Sequence, residues 1–197
     1  MSSATAHRLY LVTHALTQVE QTAEASHWRL SPAGEQQAHT LAVQPFWAEV
    51  TRIVLSQEAK TRLTIEPLLA QRKVPIHVDG RFNELYRPGW VENYGARVRQ
   101  ALAQPDQPAG EWEAATVALA RFQAGIADLC QRFPGETLAL VGHGLTFSLY
   151  RAALLGRATV DYTAWQQLSF AAVALVDPVA HVLLQDFTPI AGQTPRG

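Results

Sequence analysis

The sequence has one cysteine and no long apolar run. Cys130 is the only thiol in 197 residues, so no disulfide can form within the chain. The spacing of cysteines and histidines does not match a zinc site, and no apolar stretch approaches the roughly 20 residues of a membrane-spanning helix. The start, MSSATAHRLYLV, lacks the regions of a secretory signal. We therefore expect a soluble cytoplasmic protein with no cofactor and no bound metal.

The sequence also lacks a strong charge of either sign. It carries 16 Lys and Arg against 17 Asp and Glu, a formal net charge of −1. Such a balance gives no long-range attraction to nucleic acid or to a membrane, so neither is an expected partner. A small anionic ligand would need a local positive pocket instead. With 48% apolar residues, we expect a single domain over residues 1–197, with loop or cap insertions around 82–113.

Short apolar strands alternate with helical patterns along most of the chain. Strands are predicted over RLYLVTH (8–14), RIVLSQ (52–57), VPIHVDGRF (74–82) and TLALVGHG (137–144), with a hairpin over 169–177 and 181–188. Helices are predicted from Ser31 as N-cap, from about 59 to 70, over 113–133 and over 145–156. This alternation predicts an α/β fold, a three-layer α/β/α sandwich with a mostly parallel central sheet.

Two of the predicted strands end in a histidine. His14 follows YLVT, and His143 follows LALVG. Ligands of open α/β sheets bind outside the carboxyl ends of the strands, so neighbouring strands would bring both side chains to one site. A single strand-end histidine is more often a packing residue, but two at matched positions favour a shared function. The other histidines are predicted to be structural or exposed: His7, His27, His39, His77 and His181.

Five segments carry short motifs in a recognisable order. They are LVTHALT (11–17), LSPAGEQQAHTLA (30–42), VLSQEAKTRLTIEPL (54–68), FNELYRPGW (82–90) and LVGHGLTFSLY (140–150). Together they resemble the histidine phosphatase superfamily, the phosphoglycerate-mutase-like proteins, over most of the chain. The resemblance implies the phosphoglycerate-mutase-like fold, and it implies that the protein hydrolyses a small phosphomonoester.

The resemblance also implies roles for individual residues. His14 would attack phosphorus and become a phosphohistidine, which requires a neutral imidazole held by a hydrogen bond to its other nitrogen. Glu84 would donate a proton to the leaving oxygen, and a carboxyl group can do so only while protonated. His143 would contact the phosphoryl oxygens and stabilise their charge. Lys60 would stand where the family has its second arginine. A solvated loop carboxylate and a surface lysine are the plain alternatives for Glu84 and Lys60.

The match breaks at positions that would hold the phosphate. Thr13 replaces the loop arginine, Ala15 a glycine, Glu20 an asparagine and Lys60 the second arginine. Arginine offers a planar bidentate charge, whereas lysine offers a point charge and threonine a neutral hydroxyl. The residues predicted to contact the substrate are Thr13, Thr17, Glu20, Lys60 and Gly144.

Other charged residues could further weaken phosphate binding or could supply the missing positive charge. A Glu20 carboxylate facing the pocket would repel phosphate, whereas one turned outward would not. Any of several arginines could supply the missing charge, and Arg62, two residues from Lys60, has the best case. The candidates are Arg8, Arg29, Arg62, Arg81 and Arg87.

Two interpretations stay open at this point. One is a phosphatase acting through His14, its activity reduced by the lost clamp. The other is a catalytically inactive relative that uses the same pocket for a less anionic ligand or a protein partner. A mutase is disfavoured because it must hold a doubly phosphorylated intermediate, and nucleotide binding because no Gly-rich loop follows a strand.

The expected ligand is a small phosphorylated molecule or inorganic phosphate, and the sequence does not indicate the oligomeric state. Specificity is expected to come from segments 82–95 and 103–113. Trp28, Trp90 and Tyr94 could line the mouth of the pocket, although packing is the favoured role for Trp28.

Overall fold

The computed structural model describes residues 7–190. Its central sheet has six strands in the order β3-β2-β4-β1-β5-β6. The strands are β1 (Arg8–Thr13), β2 (Arg52–Leu55), β3 (Ile76–Val78), β4 (Thr137–Gly142), β5 (Ala172–Asp177) and β6 (Val182–Pro189). The first four pair in parallel, while β5 is antiparallel to both of its neighbours. The predicted α/β fold with a mostly parallel sheet is confirmed.

Six α-helices accompany the sheet within the described residues. They are α1 (Pro32–Ala42), α2 (Ala59–Leu69), α3 (Tyr94–Ala103), α4 (Ala115–Arg132), α5 (Gly144–Leu154) and α6 (Tyr162–Gln167). The predicted cap of α1 is present, because Ser31 Oγ accepts a hydrogen bond from Gly34 N at 3.1 Å. No helix within residues 7–190 is long and apolar enough to cross a membrane.

Residues on each inner strand alternate between two apolar clusters, one on either face of the sheet. On β1, Tyr10 and Val12 belong to one cluster and Leu9 and Leu11 to the other. The first cluster includes residues of α1 and α2, and the second includes residues of α4 and α5. Both faces of the sheet are therefore covered by helices, which accounts for the nearly continuous apolar character of β1 and β4.

A third apolar cluster lies under segment 82–113. Trp112, Val98 and Leu102 pack there against residues of α5 and α6. Segment 103–113 has a linker-like composition, yet Ala109 and Trp112 are buried. The segment is therefore an ordered part of the packing around the carboxyl edge of the sheet.

Candidate active site

The carboxyl ends of β1 and β4 bring the two strand-end histidines together. Thr13 pairs with Gly142 in the parallel register, so His14 and His143 follow equivalent positions on adjacent strands. The backbone N–H of His14 donates to the Gly142 carbonyl oxygen at 2.9 Å. The centroids of the His14 and His143 imidazole rings are 5.3 Å apart. The convergence predicted from the two strand ends is present.

The His14 ring is held by its own loop. Its Nδ1 lies 2.8 Å from the Ala15 carbonyl oxygen. A carbonyl oxygen only accepts hydrogen bonds, so Nδ1 carries a proton and donates it to this bond. Phe170 also flanks the ring, with centroids 5.5 Å apart. This is the orientation expected of a nucleophilic imidazole.

His143 is fully buried behind this site. Its Nε2 lies 2.8 Å from Ser56 Oγ and 3.5 Å from Glu58 Oε1, and its Nδ1 has no hydrogen-bond partner among residues 7–190. Burial lowers the pKa of His143 to about 4 despite the nearby Glu58 carboxylate. At neutral pH, His143 is therefore uncharged and can assist an anion only through its polarity.

Glu84 reaches the amino terminus of α5. Its Oε2 accepts from Leu145 N at 3.0 Å, and its Oε1 accepts from Thr146 N at 3.0 Å and Leu85 N at 2.9 Å. Such N–H donors at a helix amino terminus stabilise an ionised carboxylate. The side chain is half-buried and firmly oriented, so the alternative of a solvated loop carboxylate is wrong.

Lys60 is buried on α2, with 2% of its surface exposed. Its Nζ donates to Glu58 Oε2 at 2.6 Å. Burial lowers the pKa of Lys60, and the Glu58 carboxylate opposes that shift. The plain alternative of a surface lysine is therefore wrong, and the ammonium charge is compensated before any ligand arrives.

Glu58 connects several parts of the site, and no motif in the sequence singled it out. Besides pairing with Lys60, its Oε1 accepts from Glu84 N at 2.6 Å. Burial acts to raise the pKa of Glu58, but the His143 and Lys60 charges and these hydrogen bonds lower it to about 2. Glu58 is thus a carboxylate at neutral pH.

Thr13 is fully buried with its hydroxyl engaged by the backbone of the segment before β5. Its Oγ1 donates to Ser169 O at 2.9 Å and accepts from Ala172 N at 2.8 Å. The Ala171 N–H donates to His14 O at 3.2 Å. The hydroxyl is therefore a structural tether and does not replace the phosphate contacts of an arginine.

Of the other residues predicted to contact the substrate, only some lie beside His14. Thr17 lines a cavity next to His14 and forms an isolated bridge with Leu30. Gly144 is buried as the first residue of α5 and lies outside that lining. Glu20 is exposed and also lies outside it. Glu20 is thus not part of the wall of this cavity, as the outward alternative requires.

The cavity beside His14 has a volume of about 230 Å³. Lys60, Glu84 and Arg87 are the charged residues that line it among the described residues. Arg62, favoured from its position near Lys60, is exposed on α2 and is absent from this lining. Arg87 supplies the additional cation.

Arg87 is held in place by aromatic rings. Its guanidinium carbon lies 4.7 Å from the Tyr94 centroid, 5.9 Å from Trp112 and 6.0 Å from Trp28, and it donates to the Tyr94 hydroxyl. Cation–π contacts of this kind fix a guanidinium without neutralising its charge. Trp28, for which packing alone was favoured, lines the cavity, as do Trp90 and Tyr94.

Arg121 on α4 fixes the loop that carries Glu84. It donates to the carbonyl oxygens of Arg81, Asn83 and Glu84 at 2.7 to 2.9 Å and pairs with Glu113 at 2.8 Å. Burial acts to raise the pKa of Glu113, but the hydrogen bonds and the charge of Arg121 lower it. No motif marked Arg121, because its importance arises from backbone carbonyls distant in sequence.

Comparison with known proteins assigns the family. The histidine phosphatase superfamily (branch 1) matches residues 9–180, so the chain belongs to that superfamily. A search of curated proteins found no match.

Solved structures share the fold at low sequence identity. The native mycobacterial glucosyl-3-phosphoglycerate phosphatase has a TM-score of 0.75 at 20% identity, covering 95% of this chain and 100% of that chain. Bacillus stearothermophilus YhfR has a TM-score of 0.74 at 22% identity, covering 97% and 99%. A phosphoserine phosphatase mutant from Entamoeba histolytica, in complex with phosphoserine, has a TM-score of 0.65 at 18% identity, covering 86% and 89%. These similarities support the phosphoglycerate-mutase-like fold.

Proposed function

We propose that this protein hydrolyses a small phosphomonoester through a phosphohistidine at His14. The observation that carries the proposal is the His14 ring, whose Nδ1 is bound by the Ala15 carbonyl 2.8 Å away. His14 lines a cavity together with Lys60, Glu84 and Arg87. Membership of the histidine phosphatase superfamily supports the same chemistry.

The proposed reaction has two steps. His14 Nε2 attacks phosphorus, the ester P–O bond breaks, and the leaving oxygen takes a proton from Glu84. Water then attacks the phosphohistidine and gives its proton to the Glu84 carboxylate, which releases inorganic phosphate and restores His14. The hydrogen bonds that Glu84 accepts from Leu145 N and Thr146 N hold its carboxyl group in place for both proton transfers.

Charge stabilisation in this site is modest. Phosphoryl transfer depends mainly on positioning and on neutralising the non-bridging oxygens. The Glu58 carboxylate already compensates Lys60, and the Thr13 hydroxyl is bound to backbone. Arg87 thus provides the main uncompensated cation among the cavity residues, so we expect slow turnover of simple phosphomonoesters.

Release of phosphate from a panel of phosphomonoesters, measured for wild type and His14→Ala, tests the proposal. Wild type should release phosphate, and His14→Ala should not. Quenching with alkaline detergent during turnover should trap a base-stable, acid-labile phosphate on the wild-type protein. Equal rates for both proteins would contradict the mechanism, and fast turnover would contradict the reduced activity.

The second candidate is an inactive relative that binds a less anionic ligand or a protein partner. The compensated Lys60 and the engaged Thr13 favour it. Calorimetric binding of inorganic phosphate without any His14-dependent turnover across the panel would support this candidate over the enzyme.

A further inference from the structure

The wall of the cavity beside His14 is unusually rich in aromatic side chains. Trp28 and Phe170 line it together with three residues of segment 82–113, namely Trp90, Tyr94 and Trp112. Trp112 is only 3% exposed at the inner wall, whereas Trp90 is 40% exposed. Large exposed aromatic surface beside a cavity is typical of a surface that a ligand covers.

The charges of the cavity suit one phosphoryl group and little further anionic charge. Lys60 is compensated by Glu58 at 2.6 Å, and Glu84 is an acceptor of backbone N–H groups. Arg87 is the remaining cation lining the cavity among the described residues. A substrate with an added carboxylate or second phosphate would therefore lack a partner for its extra charge.

A neighbouring cavity makes that restriction stronger. It has a volume of about 310 Å³ and shares Glu84 and Arg87 with the first cavity. Glu24, Glu58 and Glu113 also line it, and Arg121, the other cation of this lining, is paired with Glu113. Any second anionic group that extended in this direction would meet carboxylates.

Two polar groups of the aromatic wall already have partners within the protein, whereas Trp112 Nε1 is buried with no hydrogen-bond partner among residues 7–190. Trp28 Nε1 donates to Glu20 O at 3.0 Å and to Ala23 O at 3.2 Å, and the Tyr94 hydroxyl accepts from Arg87. A polyhydroxylated group buried here would find few side-chain partners to replace its hydrogen bonds to water. A flat apolar ring would instead stack on those faces.

We propose that the preferred substrates are phosphate monoesters of alcohols that carry a flat aromatic ring. The ring would contact Trp90 and the Arg87–Tyr94 pair, while the phosphoryl group lies at His14. This inference rests on the proposed function for the position of the phosphoryl group. The preference for a ring rests on the cavity wall alone.

Hydrolysis of two primary alkyl phosphates tests the preference without a difference in leaving-group chemistry. We expect kcat/KM for 2-phenylethyl phosphate to exceed that for glycerol 1-phosphate by at least tenfold. Trp90→Ala should reduce the first value about tenfold, a loss typical of one stacking contact, and lower the ratio of the first value to the second at least fivefold. Trp90→Phe should restore most of the loss.

Tyr86→Ala is the matched control, because Tyr86 is exposed in the same loop and lies outside the lining of this cavity. It should leave both values within twofold of wild type. An equal fall for Tyr86→Ala and Trp90→Ala would overturn the proposed ring position.

Calorimetry with non-hydrolysable phosphonates separates this inference from the proposed function. We expect 3-phenylpropylphosphonate to bind at least tenfold more tightly than propylphosphonate, with the difference lost in Trp90→Ala. The same result without hydrolysis would refute the phosphatase and leave the ring preference intact. Equal affinities, or no binding of either phosphonate, would overturn the ring preference, even if hydrolysis occurs.

Discussion

Lys60 and Glu58 form a buried ion pair in which each side chain depends on the other. Lys60→Met removes one partner and leaves the Glu58 carboxylate buried without its closest cation. Loss of one member of a buried pair typically costs about 3 kcal/mol or more. We therefore expect Lys60→Met to lower the free energy of unfolding by about 3 kcal/mol, measured by urea denaturation.

The other lysine of the chain provides the matched control. Lys73→Met, at an exposed position, should change the free energy of unfolding by less than about 0.5 kcal/mol. Glu58→Gln combined with Lys60→Met should recover more than half of the loss, because no unpaired carboxylate then remains. A double variant as unstable as Lys60→Met would show that the charge of Glu58 is not the cause.

The buried His143 makes stability depend on pH. Its pKa falls from 6.5 in the unfolded chain to about 4 in the folded protein, so the unfolded chain binds more protons between these values. Stability must therefore fall as pH falls through this window. From pH 7 to pH 5, we expect wild type to lose about 2 kcal/mol through His143 alone.

His143→Gln, measured by urea denaturation at both pH values, checks this expectation. The variant should lose about 2 kcal/mol less than wild type on acidification. His39→Gln, at an exposed position on α1, should keep the wild-type loss. If His143→Gln lost as much stability as wild type between pH 7 and pH 5, another group would be the cause of the acid sensitivity.

Individual residues show how far the sequence could predict the site. The positions of His14 and His143 followed from strand ends, which local apolar patterns reveal. The burial of Lys60 and the engagement of Thr13 depend on packing between distant segments, so the residue types alone could not reveal them. Arg87 was one of five candidates, and only tertiary contacts distinguish it from Arg62.

At the scale of elements, Gly34 permits α1 to approach the loop after β1. A Cβ atom at Gly34 would lie 1.9 Å from the Leu16 carbonyl oxygen, and that backbone atom also accepts from Ser31 N at 3.0 Å. Gly34→Ala must displace the helix or the loop that carries His14. We expect a loss of about 3 kcal/mol or more in the free energy of unfolding, in the range of severe overpacking.

Gly135→Ala separates this clash from the general cost of replacing glycine. Gly135 has a φ of 76°, and a Cβ atom there meets nothing within 4 Å. Its replacement should lower the free energy of unfolding by only about 1 kcal/mol, because alanine is strained in the left-handed backbone region. Equal losses for both variants in urea denaturation would contradict the role assigned to close packing.

Two helices of the structure, α3 and α6, were not predicted from the sequence, and only α3 had a detectable pattern. In α3, buried Val98, Ala101 and Leu102 have helical spacing, but the helix lies between an aromatic turn-rich segment and a segment rich in Pro and Gly. That spacing was the available signal. The α6 helix, Tyr162–Gln167, has six residues, too few for its periodicity to be distinctive.

At the scale of the molecule, Arg121 couples a helix on one face of the sheet to the active-site loop. Arg121→Met removes its hydrogen bonds to the carbonyl oxygens before and at Glu84. We expect the resulting misplacement of Glu84 to reduce kcat at least tenfold for any substrate that wild type hydrolyses. Circular dichroism should show unchanged helix content.

Arg132→Met is the control on the same helix, because Arg132 is exposed and pairs only locally with Asp128. It should keep wild-type kcat. A wild-type kcat in Arg121→Met would show that the loop holds Glu84 without this contact.

The order of the strands could be predicted only in part. Alternating strands and helices indicate a parallel sheet, and the final hairpin was visible as two adjacent apolar runs. The insertion of β4 between β2 and β1 joins segments that are far apart along the chain. No local pattern encodes such a pairing.

The hydrogen bonds of Thr13 have a consequence for how this protein could change over evolutionary time. An arginine at position 13 would have to fit at a fully buried site and give up the contacts with Ser169 and Ala172. A single substitution of Thr13 by arginine would therefore weaken the fold before it improved phosphate binding. A positive charge is therefore more readily gained at another position around the cavity than at position 13.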